Sequence, residues 1–241
     1  MSTRSDIGAF FDLDGTLIPW PSLEWRFAAY LFARGELAAG SILRWFGHSA
    51  REFLRYRRTG IDNNNNKFYL AGLPESLVSE WAGSSDGQSV QFLQDGLHQI
   101  AWHIAEGHRI VFVSGTLAPL ARAVARQLPG EIDVIATGIE STDGRWTGRI
   151  AGDHVRGREK ACAIFEFADG NGLRLDQSYA YGDQISDLPM LESVGHPVAA
   201  NPGFRLERAA RLRGWPICDW RALCRLPVRA DARCLSAKGV A

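Results

Sequence analysis

The stretch Ile7-Gly8-Ala9-Phe10-Phe11-Asp12-Leu13-Asp14-Gly15-Thr16 decides how the chain is read. An uncharged run leads directly into two carboxylates two positions apart. A continuous apolar run of this length fits a strand buried on both faces, not one alternating between core and solvent. A carboxylate at the tip of such a strand stands on a rigid support. The next acid can return to the same cavity as the chain turns at Gly15, where the missing Cβ also lets backbone N–H groups approach an anion. Asp-x-Asp-Gly also opens calcium loops, but those lie between helices and need further acids out to the twelfth position. Here a strand precedes.

The same grammar repeats along the chain. Arg109-Ile110-Val111-Phe112-Val113 runs into Ser114-Gly115-Thr116, and Ser178-Tyr179-Ala180-Tyr181 runs into Gly182-Asp183. Residues 132–137 and 196–200 read as further strands, and 215–218 as a possible addition. Helical patterns fall between them at 119–128, 157–168, 187–194 and 203–214; in the first, Leu120, Val124 and Leu128 share one stripe. Strands alternating with helices predict an α/β fold, a doubly wound, mostly parallel Rossmann-like core. Polar residues gather just after the strands, at the edge where open α/β sheets place their sites.

Two segments interrupt this rhythm. Residues 140–150 carry Asp143-Gly144 between β-prone stretches and read as a hairpin. Residues 20–105 offer no convincing strand, and helices are expected over 24–34, 41–57, 75–82 and 90–106. The expected organisation is a core of residues 1–19 and 106–241 with an inserted helical cap domain over 20–105.

Three more groups of residues suit chemistry. Asp183 ends a strand and Asp187 follows four residues later, so an immediate turn into a helix points both at the strand edge. Two close acids suit a hard divalent cation, although Asp187 would also serve as a helix cap. Ser114 pairs a hydroxyl with the free N–H groups of a helix start, which is ordinary capping chemistry and also phosphate-binding chemistry. Lys160 opens the helix before the Asp183 strand. Of the 27 basic residues it is one of three lysines, and a compact point charge suits a phosphate or an aspartate in a tight cavity.

Taken together, the four sites resemble the motifs of the haloacid-dehalogenase (HAD) superfamily. Phe11-Asp12-Leu13-Asp14-Gly15-Thr16-Leu17 is similar to its first motif, Val113-Ser114-Gly115 to the second, Lys160 to the third and Gly182-Asp183-Gln184-Ile185-Ser186-Asp187 to the fourth. The likeness spans residues 7–220, and the helical insert after the first motif resembles the cap of the phosphoserine-phosphatase-like branch (subfamily IB). That branch places a substrate-binding Glu nine residues after its nucleophile; Pro21 stands there in this chain, with Glu24 three residues on.

The resemblance implies a phosphomonoesterase acting through an aspartyl-phosphate, with a small-molecule phosphate ester as substrate and Mg²⁺ as cofactor. Asp12 is the implied nucleophile and Asp14 the acid and base. Asp12, Asp183 and the backbone carbonyl of Asp14 are the implied metal ligands, Ser114, Gly115 and Lys160 the phosphate-binding groups, and Asp187 the support for Lys160 or a metal-bound water. Trp20, Ser22, Glu24 and Trp25 are candidates for the substrate pocket. The acid two residues after the nucleophile favours phosphate chemistry over dehalogenation. A phosphotransferase using the same intermediate and a non-catalytic phosphate-ligand-binding protein are the alternatives. A phosphonate hydrolase would need an imine-forming cap lysine; Lys67 follows four asparagines without apolar shielding, which argues against it. Arg51, Arg55, Arg57 and Arg58 read as a solvated helix face or a grip for a second anion, and Asn63–Asn66 as a loop or cap.

Composition narrows the partners. Lys+Arg and Asp+Glu are both 27, so the basic excess of a nucleic-acid binder is missing. No apolar run approaches the ~20 residues that span a bilayer, and the start lacks a signal-peptide pattern. The four cysteines form no Cys-x-x-Cys pair. These features lead to the expectation of a cytoplasmic protein with no nucleic-acid or membrane partner.

Overall fold

The computed structural model describes residues 6–37, 67–220 and 223–224. The helix expected over 41–57, the arginine cluster at 51–58 and the asparagine run lie outside the described residues. Strand β1 (Gly8–Phe11) is central, flanked by β3 (Arg109–Leu117) and β6 (Tyr179–Gly182), both parallel to it. The seven-stranded sheet continues through β4 (Ile132–Thr142) and β5 (Arg145–Ala151) on one side. On the other it continues through β7 (His196–Ala200) and β8 (Ile217–Cys218), giving the order β5-β4-β3-β1-β6-β7-β8. Only β5 runs antiparallel, as the expected hairpin partner of β4.

The apolar runs bury both faces because the side-chain period is two. Phe11, Phe112 and Tyr181 point to one face and Phe10, Val111 and Ala180 to the other. Phe11 and Tyr181 stack at 4.4 Å, 7° from parallel. The second face is covered by Ile164 of helix Arg158–Asn171, Met190 and Leu191 of the helix Leu188–Glu192, and Leu206 and Ala210 of Phe204–Arg213. Each large apolar side chain removed from water contributes about 1.5–3 kcal/mol.

The helix Gln94–Ala105, assigned from sequence to the insert, packs on the sheet: Gly96 lies against Leu17 and Trp220, and His103 reaches Tyr181. Short strands Phe92–Leu93 (β2) and Leu223–Cys224 (β9), neither expected, pair antiparallel beside it. The hairpin, conversely, meets the insert. Trp146 N donates to Leu73 O at 3.0 Å, and Lys67 N to Gly148 O at 2.7 Å. Helix Leu23–Ala33 and helix Ser76–Gly83 bury Phe27 and Trp81 edge to face at 5.9 Å, and Trp146 packs on the same Phe27.

His103 is fully buried among aromatic rings. Its Nε2 lies 2.9 Å from the Tyr181 hydroxyl, and its Nδ1 2.8 Å from the Nδ1 of His108. Burial, reinforced by His108, pushes its pKa down to about 3. An unfolded histidine takes its proton near pH ~6.5, so between these values the unfolded chain holds more protons and stability rises with pH. The contribution is complete above about pH 6.5 and is lost as pH falls through the window, by about 2 kcal/mol at pH 5. Urea unfolding of the wild type and His103→Gln at pH 7.5 and 5 measures it: the pH-dependent loss should shrink by about that amount in the variant.

Candidate active site

The ends of β1 and β6 and a point within β3 build the site; Ser114, expected at a helix start, lies inside β3, and the helix begins only at Ala118. Phe11 stands opposite Phe112 on one side and Tyr181 on the other, and Asp12 N donates to Tyr181 O at 3.0 Å. Asp12, Ser114 and Asp183, each one or two residues further along its strand, therefore leave one edge of the sheet. The chain passes from β1 to β3 on one side, and only after β4 and β5 returns to β6 on the other. The gap between β1 and β6 is thus the switch point where such sheets hold ligands.

Lys160 arrives there from the first turn of Arg158–Asn171. Its Nζ is 2.6 Å from Asp12 Oδ1 and 2.7 Å from Asp187 Oδ1, and only 3% of the residue is exposed. The second oxygen of Asp187 accepts Gln184 N–H at 2.9 Å, fixing the short turn after β6. Asp183 accepts from the Gln184 side chain at 2.9 Å, and the Thr16 hydroxyl sits 3.4 Å from both Asp12 and Asp183. Gly15 and Gly182 are necessary here. A Cβ on Gly15, at φ +94°, would stand 2.2 Å from Asp183 Oδ2, and one on Gly182 would stand 2.6 Å from Asp187 Cβ.

Oxygen atoms of Asp12, Asp183 and Asp187 lie within 4.8 Å of one another, all buried. Three carboxylates and one ammonium leave a net negative charge out of water. Burial raises the Asp12 pKa well above the usual carboxylate range; Lys160 opposes the rise, while Asp187 and Asp183 add to it. Burial and then Asp187 lift Asp183 to about 6. For Lys160, burial works against the ammonium, but Asp12 and Asp187 outweigh it and hold the pKa above that of an ordinary lysine. Hard oxygen donors carrying excess negative charge suit a small divalent cation, so the residues present fit Mg²⁺. Asp12 and Asp183 are the side chains expected to hold a metal; Asp187 lies beside them and pairs with Lys160, and the Asp14 carboxylate points elsewhere.

Asp14 Oδ1 accepts the backbone N–H of Leu23 at 2.8 Å, at the first turn of the insert's opening helix. Burial raises its pKa to about 6 against that hydrogen bond, with Glu24 adding to the rise. Arg26, three residues after Leu23, clamps the linker by donating to Pro21 O at 2.8 Å and Pro19 O at 3.1 Å.

Ser114 is buried, and its Oγ accepts Thr116 N–H at 3.2 Å. The carbonyl of Gly115 is held by the Thr137 hydroxyl at 2.9 Å and lies 3.2 Å from His154 Nε2. Sequence reading passed over Thr16, Thr137, His154 and Gln184. Thr16 and Gln184 had a local signal, standing within the first and fourth motifs.

The remaining candidates separate. Ser22 caps the insert's first helix by accepting Trp25 N–H at 3.3 Å, while Trp20 is 79% and Trp25 41% exposed. Glu24 points inward and meets Lys67 at 2.8 Å. The expectation that Lys67 lacks shielding is overturned: it is 9% exposed, because Tyr69 and the hairpin cover it.

The family model described as haloacid dehalogenase-like hydrolase matches residues 9–192. The chain belongs to that family. A probable phosphatase of Mycobacterium tuberculosis is 33% identical over 230 residues, 90% of this chain and 76% of the relative. Phosphoserine phosphatase SerB1 of the same organism is 33% identical over 223 residues, 88% of this chain and 70% of its own. Among solved structures, a protein of unknown function from Bordetella pertussis superposes with a TM-score of 0.72 at 28% identity, covering 88% of this chain and 98% of its own. This HAD hydrolase is an enzyme, and the buried cluster at its switch point is where its chemistry is to be sought.

Proposed function

We propose that this phosphatase is a Mg²⁺-dependent phosphomonoesterase that works through a phosphorylated Asp12. The observation that carries the reading is the buried Asp12–Lys160–Asp187 arrangement with Asp183 beside it. A phosphate dianion entering this cluster meets like charges, each costing about 4 kcal/mol at ~4 Å in an effective dielectric of ~20. Asp12, Asp183 and the Asp14 carbonyl would hold Mg²⁺, which would supply positive charge against this repulsion.

Asp12 attacks phosphorus with one carboxylate oxygen and the alcohol departs. Lys160 keeps the nucleophile oriented through its 2.6 Å contact and adds charge where the transferring group becomes most negative. Asp187 acts through Lys160. Ser114 Oγ and nearby backbone N–H groups take the remaining phosphoryl oxygens. Asp14 gives its proton to the leaving oxygen and then takes one from the attacking water; a carboxyl with a pKa of about 6 is suited to both steps near neutrality. Because Leu23 N–H is bonded to this same carboxyl, the acid is tied to the insert, which we read as a cap that closes over the substrate and excludes water. The relatives' names support phosphate-ester chemistry, and Asp14 favours it over dehalogenation.

Hydrolysis of p-nitrophenyl phosphate tests the reading. Turnover should disappear when EDTA removes divalent cations and return with excess Mg²⁺. Undiminished turnover in EDTA would refute the metal-dependent mechanism, and ligand binding without turnover would favour a non-catalytic protein. A second acceptor, such as glycerol, competing with water for the phosphoryl group would reveal transferase activity.

A further inference from the structure

Glu24 and Lys67 are 43 positions apart in sequence, yet Lys67 Nζ lies 2.8 Å from Glu24 Oε2. The Tyr69 hydroxyl donates to the other oxygen, Oε1, at 2.6 Å. The arrangement is built rigidly. Lys67 N–H is fixed on Gly148 O at 2.7 Å, and a Cβ on Gly148 would stand 2.9 Å from Phe68 Cα, so only glycine lets the hairpin approach. Lys67 and Tyr69 are 9% and 5% exposed. Glu24 directly follows Leu23, whose N–H is held by Asp14, and its charge acts on that same carboxyl. The trio therefore stands near the group assigned to the leaving oxygen.

Its charge state decides what it can recognise. Each oxygen of Glu24 already has a strong donor, and the pair is neutral. A substrate ammonium seeking this carboxylate would have to displace a buried lysine, leaving a cation unpaired out of water. A substrate carboxylate would meet Glu24. An uncharged hydroxyl meets neither obstacle: it can accept a Lys67 N–H that has no partner among the described residues and donate to a second lone pair on Glu24. We propose that Glu24, Lys67 and Tyr69 form the leaving-group subsite and that they select phosphate monoesters of uncharged polyols over those carrying an amine or a carboxylate. The inference rests on the phosphomonoesterase reading above and names its substrate class.

The test compares kcat/KM of the full chain with Mg²⁺ for glycerol 3-phosphate, O-phosphoethanolamine and O-phosphoserine, with p-nitrophenyl phosphate as reference. In the wild type, glycerol 3-phosphate should exceed both amino phosphates by about tenfold or more. Lys67→Met unmasks the Glu24 carboxylate and should shift the ratio of phosphoethanolamine to glycerol 3-phosphate by about tenfold towards the amine. Tyr69→Phe should shift it the same way by less, and Lys67→Arg should restore the wild-type order. A wild type that prefers either amino phosphate overturns the proposal, as does an unmoved ratio in folded Lys67→Met. If Lys67→Met does not fold, the wild-type order and Tyr69→Phe decide. Failure on p-nitrophenyl phosphate itself would sink the hydrolase reading; normal aryl turnover with the wrong preference sinks only the subsite.

Discussion

Asp12→Asn is expected to lower kcat for p-nitrophenyl phosphate by on the order of 10⁴-fold or more, because the side chain is the proposed nucleophile and an amide cannot replace it. The fold should survive. The asparagine keeps an oxygen for the Lys160 ammonium, and removing one charge from the Asp12, Asp183 and Asp187 cluster relieves repulsion between buried carboxylates. Far-UV circular dichroism and the urea midpoint distinguish lost chemistry from lost structure. Rapid quench with ³²P-labelled substrate should trap an acid-stable phosphoprotein in neither variant nor blank but a base-labile one in the wild type. Full turnover in Asp12→Asn would remove covalent catalysis by this residue.

Lys160→Met should carry the largest stability effect. The ammonium is almost fully buried between Asp12 at 2.6 Å and Asp187 at 2.7 Å, and nothing else among the described residues is bonded to both carboxylates. Deleting one partner of such a group leaves charge uncompensated out of water, at about 3–5 kcal/mol. The loss should be measured by urea unfolding in EDTA. It should grow as pH rises from about 4 through 6, since folded Asp12 and Asp183 hold protons that the unfolded ones have released. Saturating Mg²⁺ should recover more stability in Lys160→Met than in the wild type, because it meets more unbalanced negative charge; at a hundredfold excess over Kd, binding contributes about 2.7 kcal/mol. A loss under ~1 kcal/mol in EDTA would mean that the cluster does not depend on Lys160, and with it the electrostatic basis of the proposed mechanism would fail.

The reach of an interaction along the chain separates what could be read from what could not. A strand buried on both faces must be apolar throughout, and its first polar residue must mark the sheet edge; both facts are local. Asp12, Ser114 and Asp183 could therefore be placed at one edge from their own neighbours, whereas Lys160 gained its place there only from the resemblance to the HAD motifs. The parallel sheet and the hairpin at Asp143-Gly144 rest on the same short-range logic.

Elsewhere the outcome depended on partners far away in sequence. An isolated amphipathic helix does not reveal which layer covers its apolar face, so Gln94–Ala105 looked like part of the insert until its contacts with Leu17, Tyr181 and Trp220 placed it on the sheet. Lys67 looked solvated beside a polar run, but its shielding comes from Tyr69 and from Gly148 some eighty residues on. The direction of the Asp14 carboxylate depended on where the insert's first helix presents a free N–H.

Residue order along the chain was enough to establish the α/β architecture and the strand-end acids, since burial period and strand termini are written in consecutive residues. Which carboxylates lie within reach of one another, which lysine is sheltered and which way the Asp14 carboxylate points were settled by folding alone. Desolvation and charge pairing act through space, and the segments that impose them are joined only when the sheet, hairpin and insert come together.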